Sequence, residues 1–181
     1  MYGVHLTSVL LVVAGAVGLA ALVALPFRLL GQPERARRMA ALALLVGSVV
    51  VALGVTHAWY VVQPSLWHDW GSVNLVPFAT IQLELNRSNR DLGLLNVVGN
   101  VVLFAPIGLF AVLSGRFRVW TAILAGTALS VLIEVSQFLV GRSADVDDVL
   151  LNFAGTAAGA VVAGALLFLA ARRRPSLPAR S

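Results

Sequence analysis

The chain has 181 residues, 59% hydrophobic and 12% charged, with a mean hydropathy of +0.91, thirteen arginines, no lysine and no cysteine. A soluble domain is about half apolar and a quarter charged, so the composition points to membrane helices. Without cysteine there are no disulfides, thiolate nucleophiles or Cys-ligated zinc sites, and without lysine there is no Schiff-base or P-loop lysine. The net charge of +5 and pI of about 11.3 do not indicate nucleic acid as a partner, because most of the arginines flank apolar runs. There they set topology and meet anionic lipid.

In chain order, five apolar runs predict an all-α polytopic helix bundle. They are about 6–30, 39–62, 93–114, 119–140 and 149–171, and they form one membrane domain over 1–181. Met1 to His5 carries no cation and the run behind it is long, so the first run reads as an uncleaved span and not a signal peptide. Trp59 and Tyr60 end the second run where an aromatic belt is expected. The connection 63–92 is long enough to carry structure or function, and its Trp67, Trp70 and Phe78 are expected along the headgroup layer. The tail to Ser181 is expected to be disordered.

Five spans put the termini on opposite sides. Ten arginines (Arg28, Arg35, Arg37, Arg38, Arg116, Arg118, Arg172, Arg173, Arg174 and Arg180) fall on one side, and Arg87, Arg90 and Arg142 on the other. The positive-inside rule then places the N-terminus outside and the C-terminus in the cytoplasm.

The stretch 131–159 holds Glu134, Asp145, Asp147 and Asp148, four of the chain's eight acidic residues. Ionisable groups are costly in hydrocarbon and persist there with partners or a task. At 1.5 Å per residue, Asn100 lies about 10 Å, Glu134 about 9 Å and Asn152 about 5 Å below the outer ends of their spans. Asn96 and Asn100 are four apart, as are Asp148 and Asn152, while Glu134 and Gln137 are three apart, so each pair shares a helix face. The last three spans therefore aim amides and carboxylates at one depth, with Arg142 near to balance charge. The plainer reading also stands: amides hydrogen-bond helices together, and Asp145 and Asp148 cap a helix and offset its dipole. Glu134 resists it, since a lone carboxyl at that depth needs a partner or must hold its proton.

Gly155-x-x-x-Gly159 suits a close helix approach, expected within the chain and not between copies. His57 is expected to be solvated. The pattern Asp145-x-Asp147-Asp148 lacks the glycine and spaced glutamate of a calcium loop, so neither metal nor cofactor is expected.

Asn74-Leu75-Val76-Pro77-Phe78, Asn96-x-x-Gly99-Asn100-x-x-Leu103-Phe104-x-Pro106-x-Gly108, Glu134-x-x-Gln137, Gly141-Arg142, Asp145-x-Asp147-Asp148, Asn152 and Gly155-x-x-x-Gly159 occur in this order. The set, over roughly 74–160, resembles the VanZ-like family of bacterial membrane proteins, whose namesake is associated with low-level teicoplanin resistance. The resemblance implies a multi-pass protein of a bacterial plasma membrane with an envelope role, and it carries over no catalytic assignment.

The reading that fits best is an outward polar pocket, not an enzyme site. It would bind an amphiphile, either a lipid-linked cell-wall precursor or a glycopeptide antibiotic such as teicoplanin, in addition to membrane lipids. Arg142 would pair with a phosphate or carboxylate. Asn96, Asn100, Gln137 and Asn152 would orient the head group, and Glu134, Asp145 and Asp148 would meet a sugar, amine or bridging cation. A hydrolase or transferase of lipid-linked phosphate or sugar would use Glu134 as acid or base, but the chain has no G-x-S-x-G signature. A small transporter needs polar residues through both membrane halves, and the cytoplasmic half is apolar. Oligomeric state is not legible.

Overall fold

In hydrocarbon a backbone must satisfy its own hydrogen bonds, so long apolar runs close into helices. The computed structural model describes residues 6–62, 71–88 and 90–173. Within these, the elements are α1 (Leu6–Leu29), α2 (Pro33–Val62), β1 (Val73–Asn74), α3 (Ala79–Leu85), α4 (Arg90–Leu113), α5 (Val119–Leu139), β2 (Ala144–Asp145) and α6 (Val146–Arg172). Trp67, Trp70 and the tail from Arg174 to Ser181 lie outside the described residues, as do the side chains of Trp59 and Tyr60.

Three helices, α2, α4 and α6, start earlier than apolarity alone predicts. α2 begins with Pro33, a favoured first helical residue, and Glu34 then pairs with Arg37 at 2.8 Å one turn on, carrying the helix beyond its apolar run. α6 begins at Val146 because Asp145 caps it, its side chain accepting from Asp147 N at 2.9 Å. The connection after α2 carries structure within its described residues, 71–88. It contains β1 and the seven-residue α3, and β1 pairs in parallel with β2 in the register Val73↔Ala144 and Asn74↔Asp145.

Pro33–His57, Gly93–Leu113, Val119–Leu139 and Val146–Arg172 are each long and apolar enough to cross a membrane. The fifth expected crossing falls on α1, whose described apolar stretch, Ala14–Leu29, is shorter. The distribution of polarity agrees with a membrane. Leu124, Leu132 and Val161 face outward, more than half exposed, whereas Ser130, Glu134, Gln137, Asn152 and Thr156 are buried. A water-soluble helix bundle shows the opposite arrangement.

The closest pair is α4 with α6, which run side by side. A Cβ on Gly155 or Gly159 would collide with the carbonyls of Val101 or Ala105, and one on Gly108 with the carbonyl of Thr156. The G-x-x-x-G pair is thus used inside the chain, as expected, to bring two backbones into contact. α5 packs on α6, and α2 on α1 and α4. Ala52, Phe104, Ile107 and Ile133 form one buried apolar cluster, and Ala111, Val112, Ala122, Ala160 and Ala163 another nearer the arginine-rich end.

Candidate functional site

α5 ends in a turn that shapes the ground above it. Gly141 adopts φ 86°, Gly141 N donates to Phe138 O (3.1 Å) and Arg142 N to Gln137 O (3.0 Å). This is the paired hydrogen-bond pattern of a glycine-terminated helix. It turns the chain back along residues 71–74: Gly71 N donates to Phe138 O and Ala144 N to Ser72 O.

Beneath this turn three helices converge. Asn100 Nδ2 of α4 donates to Asp148 Oδ1 of α6 at 2.7 Å. Glu134 Oε2 of α5, 6% exposed, accepts from Asp145 N at 2.8 Å. Asn152 Nδ2 of α6 donates to Ser130 Oγ of α5 at 2.9 Å, and Thr156 Oγ1 donates to Asn152 O. Asp148, Asn152 and Thr156 recur every four residues on α6 and face Glu134, Ser130 and Gly126 on α5, forming a polar seam about 12 Å long. Two fully enclosed acceptors on these helices, Gln137 Oε1 and Asn152 Oδ1, have no donor among the described residues.

The expected site residues divide into groups. Asn100, Glu134, Asp148 and Asn152 come together. Gln137 is buried beside α2, donating from Nε2 to Thr56 O at 3.3 Å. Arg142 is exposed at the rim, near enough for its charge to act on Glu134 and Asp148; the ion pairs among the described residues are Arg37–Glu34 and Arg87–Glu84. Asn96 is exposed. It lies one helical turn nearer the start of α4 than Asn100, whose partner Asp148 sits in the first turn of α6. Asp145 is committed to structure: besides capping α6 it accepts from Asn74 Nδ2 (3.3 Å to each oxygen) and from the Thr80 hydroxyl. His57 is not simply solvated; its Nε2 meets Ser136 Oγ at 2.8 Å and ties α2 to α5. Among the described residues no three carboxylates or imidazoles are grouped as a metal ion would need.

Asp147, to which the sequence assigned no role, holds the connection between α2 and α4 in place. It is fully buried and accepts from the backbone N–H groups of Phe78, Thr80 (2.8 Å) and Ile81 (3.0 Å). Those donors belong to the first turn of α3, which a helix cannot satisfy internally. Asp147 therefore caps α3 from 67 residues away and stabilises Phe78 in the left-handed region at φ 66°. Only its place in an ordered motif marked it beforehand. The fastened connection presents Leu75, Val76, Phe78 and Leu83, each more than half exposed.

Apolar outside, polar within and with every acid among the described residues except Glu34 toward one end, the molecule is a helical membrane protein. The family model VanZ/LLP1 matches residues 39–169, and the chain belongs to that family, in line with the motif resemblance. The match leaves α1 and the first turns of α2 outside. Comparison with curated proteins gave no match, and neither did comparison with solved structures.

Proposed function

We propose that this VanZ/LLP1 protein is a non-catalytic component of a bacterial plasma membrane. It has five spans, with its N-terminus outside and C-terminus in the cytoplasm. At its outer face it binds the head group of an amphiphile, either a lipid-linked cell-wall precursor or an acylated glycopeptide such as teicoplanin, and thereby contributes to antibiotic resistance or envelope homeostasis. The observation that carries this reading is the pair of enclosed, donorless amide oxygens, Gln137 Oε1 and Asn152 Oδ1, on the two helices that bring Glu134 and Asp148 together. Buried acceptors are normally satisfied, and a ligand rich in hydroxyls or amines supplies such donors. Arg142 stands at the rim for a phosphate or carboxylate. The exposed apolar residues of 75–83 meet the lipid around it.

The test is binding of teicoplanin and of a polyprenyl-linked precursor to the purified full chain. Glu134→Ala and Arg142→Ala are expected to weaken binding at least tenfold, the loss of one or two charged hydrogen bonds; equal binding by both variants removes the reading. A second reading takes Glu134 and Asp148, two carboxylates within electrostatic reach of each other, as the acid and base of a lipid-linked phosphate or sugar hydrolase. Turnover of a polyprenyl-phosphate substrate that Glu134→Gln abolishes would favour it.

A further inference from the structure

A second region, at the opposite end of the bundle, has the parts of a lipid site. α2 and α5 touch little below the His57–Ser136 bridge, and the gap between them is a groove of 310 Å³ floored by α4. Leu45, Val46 and Val50 form one wall, Ala125 and Leu129 the other, and Phe117 lines its end. Every one of these helices is a candidate membrane span, so the open side of the groove faces hydrocarbon.

The end marked by Phe117 is cationic. Arg116 and Arg118 flank Phe117 in the α4–α5 turn and are exposed. Arg38 is exposed on α2 two turns before Leu45, hence on the same face. Its Nε stands 3.4 Å from where a Cβ on Gly115 would lie, which brings it against that turn. Among the described residues none of the three guanidiniums has an ion-pair partner within 4 Å. A slot for one chain, with Arg38 and the exposed Arg116 and Arg118 on the segments that bound its Phe117 end, is complementary in charge and shape to one kind of molecule.

We propose that this groove holds one anionic phospholipid, its acyl chain lying between α2 and α5 and its phosphate against Arg38, Arg116 and Arg118. Guanidinium matches phosphate bidentately and is weakly hydrated, so it discriminates by charge where a bare apolar slot does not. The site is independent of the outer acid–amide seam, and neither requires the other.

Native mass spectrometry of the detergent-solubilised full chain, titrated with phosphatidylglycerol or phosphatidylcholine of the same acyl chains, tests it. The wild type is expected to retain one phosphatidylglycerol at least about tenfold more tightly than phosphatidylcholine, from a contribution of several-fold per arginine. The triple variant Arg38→Gln/Arg116→Gln/Arg118→Gln should lose that preference while retaining phosphatidylcholine as the wild type does. Ala125→Trp, or Val46→Trp from the opposite wall, should lower retention of both lipids. Equal retention of the two lipids by the wild type would overturn the proposal. So would a preference that survives the triple variant, or unchanged retention in a monodisperse tryptophan variant. Displacement of the lipid by inorganic phosphate at matching concentration would show a phosphate site without a chain slot, and would overturn it too. If neither tryptophan variant folds, the arginine comparison decides.

Discussion

Asp147→Ala is the most informative single change at the acidic end of the bundle. The carboxylate is fully buried and serves three backbone donors, Phe78 N, Thr80 N and Ile81 N. Removing it strands all three. An unpaired buried donor costs about 1–3 kcal/mol, but the connection can relax toward water, so the lower end applies and the total is about 3–5 kcal/mol. In population terms, opening of 74–85 becomes between about 140-fold and about 4000-fold more frequent. Hydrogen exchange read by mass spectrometry measures this directly. Peptides over 74–85 should lose protection by that factor while peptides within α4 and the middle of α6 keep theirs. Asp147→Asn, which retains one carbonyl acceptor, should fall between. Wild-type exchange over 74–85 in Asp147→Ala would show that Asp147 does not anchor α3, and the account of this connection would be withdrawn.

Other outcomes follow from the same geometry. Gly159→Leu should lower the melting temperature and monodispersity of the purified protein, because its first side-chain atom meets the Ala105 carbonyl; overpacking of this kind costs about 1–3 kcal/mol, whereas Gly54→Leu, with open space around it, should be neutral. A double-mutant cycle on His57→Phe and Ser136→Ala should return a coupling of about 0.5–1 kcal/mol in thermal unfolding, and a coupling of zero would remove the α2–α5 bridge. Phe78→Gly should slow opening of 74–85 in the exchange assay, since glycine adopts φ 66° without the strain of about 1 kcal/mol or more carried by a bulky residue.

The spans were legible because hydrocarbon enforces a simple rule: α4, α5 and α6 fall within about three residues of the apolar runs. The depth argument brought Asn100, Glu134, Asp148 and Asn152 together because rise per residue is a constant of the helix. Asn96 shares a face with Asn100 but is exposed, because sharing a face does not fix how deeply each residue is covered. His57 was left in solvent, since no feature of α2 alone reveals Ser136. The connection between α2 and α4 was the least legible part. Its order comes from Asp145 and Asp147 gripping backbone amides and Thr80, and backbone amides carry no sequence signature. The same grip explains why Asp145, expected to meet a ligand, has both oxygens supplied with donors.

The short parallel ladder has a bearing on biogenesis. Asn74 is bound to a residue 71 positions downstream, so segment 71–88 cannot settle until α6 has left the translocon. Until residues 144–147 are made its grip points do not exist, and Leu75, Val76 and Phe78 are unanchored. A chain stalled before residue 144 should therefore be nicked in this segment by protease with access to both membrane faces, while the completed chain resists.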